Sequence, residues 1–238
     1  MKQWNIGVYF SLRFQEIAGA LDSALAVPIL VPVQSSHSDE NSQDLTLKQS
    51  VTLLESLRSC WSEDVLLISC ADKFLRLSLQ LLSRYSNWLS SGLADWKKGS
   101  VSSNPGCEWA ISALPDDFII HDINWLAKRI CGDYLEGILQ LLSTCSTEVL
   151  DLVKKSILHG GKSLSDLLPS VINTIIEALV DKSVEDLRQL KGITATYRMT
   201  NKPLPVRHSP YVAGILRPLK IAGCSRWRTS NNIFDRRC

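Results

Sequence analysis

Apolar residues recur at every third or fourth position along most of this chain, and that spacing limits the fold more than any other feature of the sequence. Side chains three and four residues apart share one face of an α-helix, so the pattern predicts amphipathic helices. We find no alternating apolar and polar run beside a hairpin turn, and no repeat of fixed length. We therefore predict an all-α fold in which six or so helices form a bundle or a stacked rod.

The predicted helices follow from the positions of these apolar stripes. The first covers roughly residues 8–25, and the second covers residues 45–60 with a stripe of leucines and Val51. A third runs from about residue 72 to residue 97 and carries a wide apolar face, as a buried bundle helix does. A fourth begins at Pro115-Asp116-Asp117, runs to about Cys145 and, after a bend, continues through residue 158.

Local signals predict where helices begin and end. Ser62-Glu63-Asp64 predicts a helix start, and His159-Gly160-Gly161 predicts a helix stop. Ser163 would begin the next helix, whose stripe includes Val171, Ile175 and Leu179 and could extend through Leu187, Leu190 and Ile193. Pro169 lies about two turns in, which predicts a kink or a late start.

Three segments predict breaks in the helical pattern. Residues 34–44 are polar and are expected to form a flexible surface loop, and residues 99–107 contain a strong Asn-Pro-Gly turn signal. A domain sub-boundary is therefore possible near residues 99–114. Prolines make residues 201–210 extended, and residues 211–216 could form a short final helix.

Charge is distributed unevenly along the chain. The overall net charge is +2, but residues 221–238 contain four arginines against Asp235 alone, and residues 1–220 have a net charge of −1. The body therefore has no charge excess that would attract nucleic acid or an acidic membrane. Hydrophobic residues make up 45% of the chain and charged residues 21%, which is typical of a globular protein.

The cysteines and the apolar runs indicate where the chain works. There are seven cysteines, without a CxxC pair, and no Asn-x-Ser/Thr acceptor occurs, which together favour a reducing, cytosolic compartment with buried free thiols. The longest apolar run, residues 24–33, is interrupted by Pro28 and Pro32 and falls short of the roughly 20 residues that a membrane span needs. The N-terminus lacks the layout of a signal peptide, so membrane association would be peripheral.

No motif in the sequence predicts catalysis. Gly160-Gly161-Lys162-Ser163 resembles the end of a phosphate-binding loop, but Ser156 stands where the first glycine is required, and a helix rather than a strand precedes it. Asp116-Asp117 and Glu185-Asp186 are explained by the dipole at helix starts. The four histidines fall in or next to predicted loops, without partners at metal-ligand spacing. We predict no catalytic, cofactor-binding or metal-binding residue and no cofactor.

Six of the seven tryptophans are expected to pack in the core, and any that are exposed would mark an interface. They are Trp4, Trp61, Trp88, Trp96, Trp109 and Trp125.

Several longer segments resemble one known family. Tyr197-Arg198-Met199-Thr200-Asn201-Lys202, followed by Ser209-Pro210-Tyr211-Val212 and Leu216-Arg217-Pro218-Leu219, is similar to the C-terminal domain of subunit 2 of the conserved oligomeric Golgi complex. Residues 8–19, Cys60-Trp61-Ser62 and residues 79–88 resemble the same family. The resemblance covers about residues 4–220, and the serine-rich composition suggests a plant homologue.

The resemblance implies a non-catalytic subunit of a vesicle-tethering complex of the helical-rod type, acting in intra-Golgi retrograde transport on the cytosolic face of the Golgi membrane. The implied partners are other subunits of the complex, with SNAREs, small GTPases and coiled-coil tethers at the vesicle. Neither the residue patterns nor the resemblance implies nucleic-acid binding.

Two departures from the family are expected. The family has a long N-terminal helical region that docks onto sister subunits, and this chain begins after it. Residues 1–220 are therefore interpreted as the helical domain, and residues 221–238 as a basic, disordered tail of a truncated product. The alternative functions are a peripheral membrane binder that uses this tail, or an inactive fragment.

Overall fold

A computed structural model describes residues 5–27, 45–99 and 116–188 of the chain. Nearly all of these residues are helical, and none of the described ranges contains a β-strand. The all-α prediction is confirmed. The loop at 34–44, the boundary near 99–114, the segments at 201–210 and 211–216, and the tail at 221–238 lie wholly or almost wholly outside the described residues.

The first helix, α1, spans Ile6–Leu25, and its predicted position is confirmed. The Asn5 side chain caps it by accepting hydrogen bonds from the backbone N–H groups of Gly7 and Val8, at 3.1 and 3.3 Å. Its buried face is formed by Ile17, Ala18 and Leu21, at the spacing that the sequence predicts for a helix.

The second helix, α2, spans Lys48–Cys60 and begins three residues later than predicted. Leu47 has an extended backbone, with φ −105° and ψ 135°. The apolar residues Leu45 and Leu47 therefore belong to a buried extended segment that precedes the helix. Within the helix, Leu53, Leu54, Leu57 and Cys60 are buried.

A turn, and not a helix start, follows α2. The carbonyl oxygen of Ser62 accepts hydrogen bonds from the N–H groups of Val65 and Leu66, at 3.0 and 2.8 Å, which closes the chain into a turn. The helix start predicted at Ser62-Glu63-Asp64 is therefore wrong. A single 3₁₀ turn at Ile68–Cys70 leads instead into helix α3, which spans Ala71–Gly99 close to its predicted bounds.

The predicted fourth helix is divided. Helix α4 spans Asp116–Arg129, so the predicted start at the paired aspartates is confirmed. A π-helical turn at Ile130–Tyr134 separates α4 from α5, which spans Leu135–Leu141. Gly132 within this turn has φ −103° and ψ −110°, outside the helical region. The bend expected near Cys145 lies at residues 142–146.

Helix α6 spans Thr147–Ser165 and runs through Gly160 and Gly161, so the predicted helix stop there is wrong. These glycines allow close approach between helices. A Cβ atom on Gly160 would lie 2.8 Å from Leu82 Cδ1 of α3, and one on Gly161 would meet the Cys131 sulfur. Tight packing on both sides offsets the cost of glycine in a helix, which is about 1 kcal/mol per residue relative to alanine.

The last described helix, α7, spans Leu168–Arg188, and the start predicted at Ser163 is wrong because α6 still continues there. Of the two alternatives that Pro169 predicts, the late start is correct: α7 begins one residue before Pro169, and proline is tolerated in a first helical turn. Glu185-Asp186 lie in the last turns of α7, so explaining them by a helix start is also wrong.

The main core is built by α1 to α6. Helix α1 packs on α2 and α3, and α6 packs on α3, α4 and α5. The largest fully buried side chains include Tyr85, Phe74 and Leu81 of α3 and Leu126 of α4. By its contacts the chain divides into two units, residues 1–170 and residues 171–238, and most of α7 belongs to the second.

Candidate interaction surface

The glycine-lysine-serine motif lies inside a continuous helix. Gly160, Gly161, Lys162 and Ser163 all belong to α6, and Ser163 Oγ donates a hydrogen bond to the carbonyl oxygen of His159, at 2.9 Å. A phosphate-binding loop must turn several backbone N–H groups toward one point, whereas in a helix they point along the axis to the preceding turn. The motif therefore serves helix packing.

Two of the histidines lie inside helices, so their predicted placement in or next to loops is wrong. His121 belongs to α4 and His159 to α6. Within the described ranges, no group of three or more His, Cys, Asp or Glu side chains could hold a metal ion. His37 and His208 lie outside those ranges.

The cysteines that the structure describes are free thiols. Cys60 and Cys70 are fully buried, and Cys131 and Cys145 are partly buried. Burial raises the pKa of the Cys60 thiol to about 12, because the thiolate would lose its hydration. A thiol held protonated in this way is a poor nucleophile, and Cys60 acts as a core residue.

A buried carboxylate that sequence reasoning did not single out joins α4 to the start of α2. Asp122 has no exposed side-chain surface, and its Oδ1 accepts hydrogen bonds from the N–H and the hydroxyl of Thr46, at 2.9 and 2.8 Å. Its Oδ2 accepts a bond from the Leu47 N–H, at 2.9 Å. The exposed His121 ring is 3.5 Å from Oδ1. These hydrogen bonds tie α4 to the segment that precedes α2, so Asp122 has a structural role; we call this arrangement the Asp122 clasp.

A second polar cluster lies between α2, α3 and the π-helical turn. The indole N–H of Trp61 donates to Ser78 Oγ at 2.9 Å, and the Tyr134 hydroxyl is 3.2 Å from the same oxygen. Beside it is an open pocket of about 230 Å³, which Arg58 and Arg129 also line. Arg129 pairs with Asp133 across one turn of chain, so part of the positive charge is neutralised.

The described tryptophans follow the predicted default only in part. Trp61 is 6% exposed and belongs to the core. Trp88 and Trp125 are half-buried: Trp88 packs beside Tyr85, with 5.7 Å between ring centroids, and the Arg129 guanidinium lies 5.7 Å from the Trp125 ring centroid. Trp4 and Trp109, and the side chain of Trp96, lie outside the description.

Exposed apolar side chains in the first unit are scattered. They include Val8 and Leu12 on α1, Ile68 in the 3₁₀ turn, and Val149 and Leu152 on α6. Singles and pairs of this kind are ordinary on a protein surface. They do not define a continuous surface along any of these helices.

Helix α7 is different, because it has an exposed apolar stripe along most of its length. Each member is between 38% and 53% exposed. The stripe consists of Ile172, Ile176, Val180, Val184 and Leu187. These positions are three or four residues apart and share one face, while Val171, Thr174 and Ile175 on the other side of the helix are buried.

The sequence of α7 contains two apolar lines at helical spacing, and the spacing does not indicate which of them is buried. The predicted stripe of α7 runs through Val171 and Ile175, which the structure buries, but its predicted extension includes Leu187, which is 43% exposed. Ile172, Ile176, Val180 and Val184 form a second line at strict four-residue spacing. A helix with apolar residues on two faces has more apolar surface than one core contact can cover, and that excess is the sign of an interface.

No helix within the described ranges is both long enough and apolar enough to cross a membrane.

Comparisons with known proteins give a consistent result. Residues 2–224 match the family described as "COG complex component, COG2, C-terminal". The chain is 67% identical over 222 residues to conserved oligomeric Golgi complex subunit 2 of Arabidopsis thaliana, covering 92% of this chain and 29% of that protein. The proteins of the same name from Drosophila melanogaster and Homo sapiens are 30% and 28% identical, again over 92% of this chain, which covers 30% and 32% of them. The chain thus spans about a third of the length of these relatives, and no solved structure matches it.

Proposed function

The chain belongs to the family of COG2 C-terminal domains, and we propose on that basis that it is a non-catalytic subunit, or part of one, of a Golgi vesicle-tethering complex. The match along residues 2–224 carries the proposal. The proposed role is in intra-Golgi retrograde transport, Golgi organisation and protein transport, and it is performed by protein contacts. An all-α chain with an exposed apolar stripe on α7 is well suited to such contacts.

The proposed partners are the other subunits of the oligomeric Golgi complex, since the relatives carry that complex in their names. SNAREs, small GTPases and coiled-coil tethers are further proposed partners, at the cytosolic face of the Golgi membrane. We place the chain there as a peripheral protein.

The proposed domain consists of residues 1–220, and the basic segment 221–238 lies outside it. The family match ends at residue 224, four residues past this boundary and before the first arginine of the segment, which supports a boundary in this region. Four arginines in the last 13 residues also set this segment apart from the nearly neutral body.

Affinity purification tests the proposed function. The tagged chain is expressed in Arabidopsis cells, where the 67% identical relative makes its partners available, and bound proteins are identified by mass spectrometry. We expect the other subunits of the oligomeric Golgi complex to be enriched over a Leu57→Asp control. Leu57 is fully buried, so this control cannot keep the core intact. A folded chain that enriches none of those subunits would overturn the proposal.

A further inference from the structure

The exposed stripe of α7 has the shape of a helix-binding seam. From Ile172 to Leu187 it extends about 22 Å along the helix axis at 1.5 Å per residue. The five members of the stripe follow one another at steps of four, four, four and three residues, so they stay on one side of the helix. A narrow, straight, apolar surface of four turns fits the apolar side of another α-helix.

The net charge of α7, counted from the sequence, favours one kind of partner helix. From residue 171 to its end, α7 contains four acidic and two basic residues, a net charge of −2. A second copy of the chain would bring the same acidic excess against the first, because like charges along a helix pair oppose association. A helix with lysine or arginine beside its apolar residues is complementary to this charge.

We propose that this stripe is the docking surface for an amphipathic helix of another subunit of the tethering complex, with basic residues flanking the apolar side of that helix. The inference rests on the proposed function and adds to it the surface and the chemistry of the partner. It concerns only the exposed face of α7, since Val171 and Ile175 are already buried.

The test uses two double variants with matched chemistry. Ile176→Asp with Val180→Asp places two carboxylates in the middle of the stripe. Val149→Asp with Leu152→Asp places two carboxylates at exposed apolar positions of α6. All four side chains are at least 43% exposed, so thermal melting and circular dichroism should show both variants folded like the original chain.

The affinity purification described above then gives the answer. We expect the α7 variant to reduce recovery of the partner subunits at least about tenfold, as loss of interface anchors does, and the α6 variant to leave it unchanged. Equal recovery with the α7 variant would overturn the inference while leaving the proposed function intact, and so would an equal loss with both variants. If the original chain recovers none of the subunits, the proposed function itself fails.

Two further measurements identify the occupant. A photo-cross-linking amino acid in place of Val180 should capture a peptide with apolar residues at three- and four-residue spacing flanked by lysine or arginine; capture of a segment without that pattern would contradict the proposal. The isolated chain should be monomeric by light scattering. Replacing the four arginines of residues 221–238 by serine in the full chain should leave the recovery of the subunits unchanged. A dimer abolished by the α7 variant would make a second copy the occupant, and stronger recovery after the arginine replacement would make the chain's own basic tail the occupant.

Discussion

Replacing Asp122 should destabilise the protein more than any other single polar substitution discussed for this fold. The carboxylate is completely buried and accepts three hydrogen bonds of 2.8 to 2.9 Å from Thr46 and Leu47. Asp122→Ala would leave two buried or partly buried backbone N–H groups without their acceptor. It would also remove the shorter hydrogen bond of the Thr46 hydroxyl, whose other acceptor is the Phe118 carbonyl oxygen at 3.4 Å. A buried donor that is left without its acceptor costs about 1–3 kcal/mol, and two backbone N–H groups lose their acceptor here.

We therefore expect Asp122→Ala to lower the free energy of unfolding by about 4 kcal/mol. Asp122→Asn keeps the shape and the acceptor facing Thr46, but its NH₂ group would face the Leu47 N–H, so we expect a loss of about 2 kcal/mol. For a chain of this size, 1 kcal/mol corresponds to roughly 2–4 °C in melting temperature. The two variants should thus melt about 8–16 °C and about 4–8 °C lower.

Thermal melting followed by circular dichroism, together with hydrogen exchange at the amides of Thr46 and Leu47, measures these effects. Both amides should exchange faster in Asp122→Ala, because the carboxylate is their hydrogen-bond acceptor. Thr46→Ala should lose only about 1 kcal/mol, and its effect should largely disappear in the Asp122→Ala background, since both remove the same bond. A decrease of less than 2 °C for Asp122→Ala, with unchanged amide exchange, would refute this account of the clasp.

Two other predictions follow from packing and burial. Gly161→Ala and Gly160→Ala should each destabilise the protein by about 1–3 kcal/mol, although alanine favours helices, because the added methyl group meets Cys131 or Leu82. Gly137→Ala has nothing within 4 Å of the added methyl group and should be neutral or stabilising by up to about 1 kcal/mol. Chemical denaturation measures the free energy of unfolding of all three variants. If Gly161→Ala is as stable as Gly137→Ala, the close helix contact is not important. Burial raises the pKa of Cys60 to about 12 in the folded state, against 9.0 for an ordinary thiol, so the folded state favours the protonated thiol. The contribution of this preference to the free energy of unfolding is complete below pH 9 and is lost as the pH rises from 9 toward 12. Cys60→Ala should therefore flatten the decline of unfolding free energy in that window by up to about 1.4 kcal/mol per pH unit in urea titrations, and an unchanged slope would contradict the assignment.

The sequence by itself determined the fold class and the family of this protein. Apolar spacing in α1 and α3 placed both helices within a few residues, because each has a single apolar face that a helix of 3.6 residues per turn must bury. The family likewise follows from residues that can be read along the chain, as the match over residues 2–224 confirms.

Tertiary structure decided features that depend on residues far apart in sequence. Gly160-Gly161 reads locally as a helix stop, but contacts with α3 and with the π-helical turn keep α6 continuous. Asp122 is 75 residues from Leu47, and no local pattern predicts that it binds the start of α2. The same holds for α7, whose two apolar lines look alike in the sequence; only the folded chain buries Val171 and Ile175 and leaves Ile176 and Val180 in solvent. Burial is a property of the whole packing arrangement, so a single helix cannot specify which of its faces will be covered.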